Sequence, residues 1–243
     1  MIPNLNHQEN IKQDTFAFIK ALSESDYAGE IARSYASRLS VATDNSVYQC
    51  LPQAVIYPKS TQDIITLCQL AQQSEFADIR FSPRGGGTGT NGQSLTNDIV
   101  LDLSKHMNNI LEINPKEGWV RVQTGVVKDQ LNDYLKPHGL FFSPELSTSN
   151  RATIGGMISN DASGQGSLAY GKTSDHVLAL TSVLIDGSLL KSKPLTAVDL
   201  IEQVEREDSI GAIYRQVIET CESQQYNIEN TFPKLNRFLT GYD

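Results

Sequence analysis

Pro83-Arg84-Gly85-Gly86-Gly87-Thr88-Gly89-Thr90-Asn91-Gly92 is the stretch on which the reading of this 243-residue chain turns. Five of the eight residues from 85 to 92 are glycine, a composition that costs chain entropy on folding. A tight loop whose backbone N–H groups converge on an anion offsets that cost. Thr88 and Thr90 can add hydroxyl donors to phosphate oxygens. The alternative is a mobile linker. Strand-like runs flank the loop closely, Ile79-Arg80-Phe81-Ser82 before it and Ile99-Val100-Leu101-Asp102-Leu103 after it, and a linker leaves them unexplained.

Two other glycine patterns match known motifs in letters only. Gly87-x-Gly89-x-x-Gly92 fits the dinucleotide fingerprint, which works by starting a helix whose N-terminus faces a pyrophosphate. Here Gln93-Ser94-Leu95-Thr96-Asn97-Asp98 follows and then a β-branched run, so that helix is missing. Residues 166–173, Gly-Ser-Leu-Ala-Tyr-Gly-Lys-Thr, fit the Walker A pattern. A phosphate-binding loop of that kind lies between a buried strand and a helix. Upstream stands polar Asn160-Asp161-Ala162-Ser163-Gly164, and the sequence downstream reads as strand. Lys172 is therefore read as a loop or surface residue rather than a γ-phosphate ligand.

Working outward, residues 1–48 read as a polar helical segment with Phe18, Ile19 and Leu22 on one apolar face. Ala54-Val55-Ile56-Tyr57 reads as a buried strand stopped by Pro58. Ser60-Thr61-Gln62-Asp63 can cap a helix carrying Ile64, Leu67, Cys68 and Ala71. With the two strands around the glycine loop, this predicts an α+β unit over residues 49–115. A second unit, 116–243, begins with Trp119-Val120-Arg121-Val122-Gln123, which alternates as a half-buried strand does. Val127, Leu131, Tyr134 and Leu135 mark a helix that Pro137 and Gly139 end. A turn-rich stretch follows to Asp175. Thr181-Ser182-Val183-Leu184-Ile185 is a strand leading into an Asp186-Gly187 turn, and Ile210, Ile213, Tyr214, Val217 and Cys221 mark a late helix.

Hydrophobic residues make up 39% and charged residues 20%, as in a globular protein. The net charge of -8 disfavours nucleic acid as a partner. No apolar run is long enough to span a bilayer, and residues 1–10 lack the basic-then-apolar pattern of a signal peptide, so membrane association is not indicated. Cys50, Cys68 and Cys221 are widely spaced and form no CxxC pair. They read as free thiols of a reducing, cytoplasmic setting, with no metal site.

Several stretches together resemble one family. Residues 83–92, Ala152-Thr153-Ile154-Gly155-Gly156, Ala162-Ser163-Gly164 and Tyr170-Gly171-Lys172-Thr173 with Asp175 occur in the order seen in FAD-linked oxidases of the vanillyl-alcohol oxidase and p-cresol methylhydroxylase (PCMH) type. Leu131-Asn132, Pro137-His138-Gly139 and the strand ending at Asp186-Gly187 fit too. Within that family the chain is most similar to bacterial FAD-linked D-2-hydroxyacid dehydrogenases of the large, 2-hydroxyglutarate type. The resemblance implies a two-subdomain PCMH-type FAD-binding fold with FAD between the subdomains. By position, Arg84, Gly85, Gly86, Gly87, Thr88, Gly89 and Thr90 would hold the pyrophosphate. Pro144, Glu145 and Ser147 would line the flavin side, and Ile154, Gly155 and Gly156 would approach the cofactor closely. Asn160, Ser163 and Gly164 would border the adenosine and ribitol region, with Tyr170 and Gly171 completing that wall.

Two departures from the family pattern carry information. Some relatives attach FAD covalently through a histidine in the glycine loop. This loop has none, and His106, His138 and His176 lie elsewhere, so the resemblance implies noncovalent FAD. The family's chain also continues past Thr240-Gly241-Tyr242-Asp243 into a further flavin-contacting segment and a substrate domain, so the sequence is expected to be an N-terminal fragment. The complete protein would move a hydride from a 2-hydroxy acid to FAD and pass electrons to an acceptor the sequence does not identify. The catalytic base is not assigned. Three other readings stay open: a FAD-binding module without turnover, an NADPH-using reductase on the same scaffold, and a P-loop NTPase.

Overall fold

The structure, a computed structural model, describes residues 11–234. The expectations for residues 1–10 and 240–243 lie outside the described residues. Helix α1 (Gln13–Glu24) buries Phe18, Ile19 and Leu22, as their spacing requires. Strand β1 (Glu30–Ala32) and helix α2 (Tyr35–Ser40, capped by Ser34) follow. The sequence reading finds only helix before residue 48. Three half-buried residues are too few to show strand alternation, and β1 forms because β2 (Ala54–Tyr57) offers it an antiparallel edge.

Pro58 ends β2, and helix α3 (Thr61–Ala71) starts on a capping box. The Ser60 hydroxyl accepts the Asp63 N–H at 3.1 Å, and the Asp63 carboxylate accepts the Ser60 N–H at 3.1 Å. The buried Asp63 carboxylate also accepts N–H bonds from Ala28 (2.8 Å) and Lys59 (2.7 Å), tying the turn before β1 to α3. Strands β3 (Phe81–Arg84) and β4 (Ile99–Asp102) complete a sheet of order β1-β2-β4-β3, in which β4 lies parallel to both β2 and β3. Ile99, Val100 and Leu101 are buried, the continuous apolar run a central parallel strand needs. Phe18, Leu22, Ile56, Leu67, Phe76 and Ile99 form the core beside this sheet. This topology puts the glycine loop at the carboxyl end of β3.

A second core follows. Strands β5 (Ile110–Asn114) and β6 (Trp119–Val122) form a hairpin whose turn holds Gly118 at φ +72°. Their Ile113 and Val120 pack with Leu131 and Leu135 of helix α4 (Lys128–Leu135), and with Ile154 and Met157 of α5 (Ile154–Ser159). Gly139, left-handed at φ +69°, turns the chain after α4. The short helix α6 (Ser167–Tyr170) precedes the hairpin of β7 (Leu180–Val183) and β8 (Leu189–Ser192), with Gly187 at φ +83° in its turn. Helices α7 (Ala197–Val204), α8 (Ser209–Ser223) and α9 (Gln225–Thr231) end the described chain. Among the described residues no helix is long and apolar enough to cross a membrane.

Candidate cofactor site

The loop after β3 leaves a run of backbone N–H groups open. No helix intervenes between Arg84 and Ile99, so the element that the dinucleotide fingerprint requires is missing. Among the described residues, the backbone N–H groups of Gly85, Gly86, Gly87, Thr88, Gly89 and Thr90 donate to nothing within the chain, whereas that of Asn91 donates to the Gln93 side chain at 3.0 Å. A row of adjacent N–H groups without internal partners has capacity for an anionic ligand. Gly87 sits at φ +61°, in the left-handed region that glycine enters freely. The loop is seated on a second segment: a Cβ on Gly85 would strike the Thr153 side chain, and one on Gly86 the Arg151 carbonyl.

Arg84 braces the loop from the other direction. Its guanidinium donates to the Thr43 carbonyl at 2.8 Å, to the Ser94 hydroxyl at 3.2 Å and to the Val41 carbonyl at 3.4 Å. Ser94 in turn donates to Asp44 at 3.3 Å. Burial pulls the guanidinium's pKa down, and the carboxylates of Asp102 and Asp44 oppose that. Residues 41–44 and Ser94 are partners that the sequence reading misses.

The remaining candidate residues fall into three groups. In the first, Ile154 and Gly155 donate their N–H groups to the Val126 and Thr124 carbonyls, each at 2.8 Å, and Gly155 lies against Thr124. Thr153 caps α5 by accepting the Gly156 N–H. Asn160 ends α5: its amide donates to the Gly156 carbonyl and accepts from Gln93, both at 2.9 Å, which links this helix to the glycine loop.

In the second group, a Cβ on Gly164 would meet the Glu145 carbonyl, so the stretch after the buried Pro144 runs directly against residue 164. Gly164 donates its N–H to the Ser167 hydroxyl at 2.9 Å. The Ser163 hydroxyl is buried and has no hydrogen-bond partner among the described residues. In the third, Tyr170 rests edge-on against Phe141 with centroids 5.6 Å apart, and its carbonyl and the Ser143 hydroxyl both meet His176 Nε2. Gly171 is left-handed at φ +81°. Thr90 and Ser147 are exposed, and no hydrogen bond joins either to the others among the described residues.

The Walker-like run lacks the P-loop arrangement. Helix α6 lies inside it, α5 rather than a strand precedes it, and the Lys172 ammonium is paired with Asp161. What the chain does offer is chemically compatible with a nucleotide cofactor that carries a pyrophosphate. Among the described residues, six N–H groups without partners are available to an anion, glycines at the contact with 151–153 let the segments approach closely, and Ser163 keeps one buried hydroxyl unsatisfied.

Residues 52–193 match the model of the family described as FAD binding domain. The chain is 55% identical over 244 residues to D-2-hydroxyglutarate dehydrogenase of Escherichia coli, an alignment covering 100% of this chain and 24% of that protein. It is 58% identical over 226 residues to D-2-hydroxyglutarate dehydrogenase of Pseudomonas putida, covering 93% of this chain and 22% of that one. The chain thus spans less than a quarter of the length of either relative. Among solved structures, alkyldihydroxyacetonephosphate synthase superposes with a TM-score of 0.64 at 20% identity, over 76% of this chain and 36% of that one, a likeness of fold alone. The architecture is the α+β, PCMH-type FAD-binding fold, and the chain belongs to the FAD-binding domain family.

Proposed function

We propose that this chain forms the FAD-binding part of a D-2-hydroxyacid dehydrogenase, with FAD held noncovalently. The observation that carries the reading is the row of six unpartnered N–H groups from Gly85 to Thr90, seated on 151–153. Relatives 55% and 58% identical carry the name D-2-hydroxyglutarate dehydrogenase, which makes a 2-hydroxy dicarboxylic acid the substrate of choice for the complete protein.

In this reading the loop N–H groups, with Thr88 and Thr90, hold the pyrophosphate, and no lysine is needed because backbone dipoles meet the charge. The Ser163 hydroxyl gains a partner on the cofactor. The 144–147 strip and Tyr170 line its sides. When bound, FAD would supply the redox chemistry for removal of a hydride from the substrate α-carbon, while the residues of this chain would bind and orient it. The loop contains no histidine to form a covalent flavin link. The division into subdomains 49–115 and 116–243 behind the segment 1–48, and a cytoplasmic location, belong to the same proposal.

Titration of the purified chain with FAD, followed by quenching of flavin fluorescence, tests it. Saturable quenching is expected, with all flavin released into the supernatant on acid precipitation. Flavin that stays with the precipitated protein would refute the noncovalent assignment. The absence of saturable binding would refute the cofactor site.

A further inference from the structure

The turn that follows α5 carries a charge in an unusual place. Asp161 N–H donates to the Ile158 carbonyl at 3.1 Å and Ala162 N–H to the Met157 carbonyl at 2.8 Å, the two bonds of a Schellman helix stop. That motif needs a left-handed residue, most often glycine, and Asp161 fills it at φ +42°. It is the only non-glycine residue with positive φ among the described residues. Its side chain is 7% exposed. A buried carboxylate at a position suited to glycine needs a reason beyond ending a helix.

The reason lies eleven residues on. The Asp161 carboxylate accepts from the Lys172 ammonium and, at 2.8 Å, from the Ser174 N–H. Next to it Thr173, fully buried, donates twice to the Ala162 carbonyl, from its hydroxyl at 2.5 Å and its N–H at 3.2 Å. Burial opposes ionisation of Asp161, yet Lys172 and the Ser174 N–H outweigh it and hold the carboxyl below the usual carboxylate range. Both ends of loop 162–172 are thereby pinned together, and the loop carries Ser163 with its unpartnered buried hydroxyl and Gly164 against Glu145.

We propose that Asp161 and Lys172 are a positioning pair for the cofactor: their ion pair sets the path of residues 162–164 and so aims the Ser163 hydroxyl into the FAD site. This rests on the FAD reading above. It also gives the lysine of the Walker-like run a role that involves no nucleotide phosphate. Neither side chain need touch FAD.

The test uses four variants of the full chain and FAD as the probe. Asp161→Gly keeps the left-handed turn and removes the carboxylate, so it should fold, with a melting temperature close to that of the parent. Asp161→Gly and Lys172→Met should each raise the FAD dissociation constant about tenfold. Their combination should cost no more than either alone, because the pair acts as one unit. Lys172→Arg, which keeps the charge, should stay within about threefold of the parent. A folded Asp161→Gly protein that binds FAD as tightly as the parent overturns the pair, as do effects of the two single changes that simply add. A parent chain that takes up no FAD overturns the FAD reading itself, and this assignment with it. The two failures are therefore told apart by the parent's own titration.

Discussion

At the residue scale, the proposed site turns on two features of very different kind, a missing Cβ and an unused hydroxyl. Gly86 lies where any Cβ would collide with the Arg151 carbonyl, a backbone atom that cannot rotate aside. Gly86→Ala should therefore cost about 1–3 kcal/mol of stability through overpacking and abolish FAD uptake. Gly166→Ala is the contrast: its Cβ would lie 3.4 Å from the Tyr170 ring, an ordinary contact, so melting and FAD binding should both match the parent. Loss of FAD binding in Gly166→Ala would show that the 166–170 turn is more tightly constrained than this contact implies. Ser163 separates stability from binding. A buried hydroxyl without a partner costs about 1–3 kcal/mol, so Ser163→Ala should raise the melting temperature without FAD and weaken FAD binding. Unchanged affinity would remove Ser163 from the site. The glycine loop stood out in the sequence by its local composition, whereas Ser163 was picked out only by the family resemblance. The partners of Arg84 were not. Its hydrogen bonds reach Val41 and Thr43, more than forty residues earlier, in a stretch whose own pattern gives no hint of the contact.

At the element scale, legibility followed the strength of local rules. α3 was readable from Ser60 and Asp63 because a capping box is written in four consecutive residues. The β7–β8 hairpin was readable from Asp186-Gly187 for the same reason. β5 and β1 were not, since Ile110-Leu111-Glu112-Ile113-Asn114 carries a register shift that breaks its alternation, and β1 is set by its neighbour rather than by its own residues. The start of α8 carries a pH-dependent contribution. Asp208 caps it, accepting the Gly211 N–H at 3.0 Å, and also pairs with Arg206. The Arg206 hydrogen bond, aided by the Gly211 N–H, pulls the Asp208 carboxyl from 3.8 to about 2. A carboxyl depressed on folding stabilises the folded state above its unfolded pKa, and the effect is lost as pH falls through the folded value. The cap should thus be fully effective above pH 3.8 and gone below about 2. Carboxyl-carbon NMR titration of Asp208 should find a midpoint near 2. A midpoint near 3.8 would mean that the Arg206 pair does not persist in solution.

At the scale of the whole molecule, burial is distributed unevenly, and that asymmetry bears on where the cofactor function resides. Two hydrophobic clusters, one beside the β1-β2-β4-β3 sheet and one among β5, β6, α4 and α5, hold most of the buried apolar side chains, and the glycine loop meets residues 151–153 where their segments touch. The three last helices differ. Among all residues of α7, α8 and α9 only Ile210 and Gly211 are buried, while Val198, Ile201, Val217 and Tyr226 are each more than half exposed. The apolar spacing of α8 was legible, but its depth of burial was not, because periodicity reports which face is apolar and not what covers it. Local opening free energy follows buried contact, so these helices should open far more readily than the two clusters. Limited proteolysis in the presence of FAD should therefore cut first between residues 193 and 232 and leave a resistant core. That core should contain residues 52–193, the span of the family match, with β2, the glycine loop, α5 and the Asp161–Lys172 pair intact. If it carries the site, it should retain bound FAD after separation from the released helices. First cuts within 85–92 or 160–175 in FAD-bound protein would show instead that the proposed cradle opens before the weakly packed helices do, and would place FAD elsewhere.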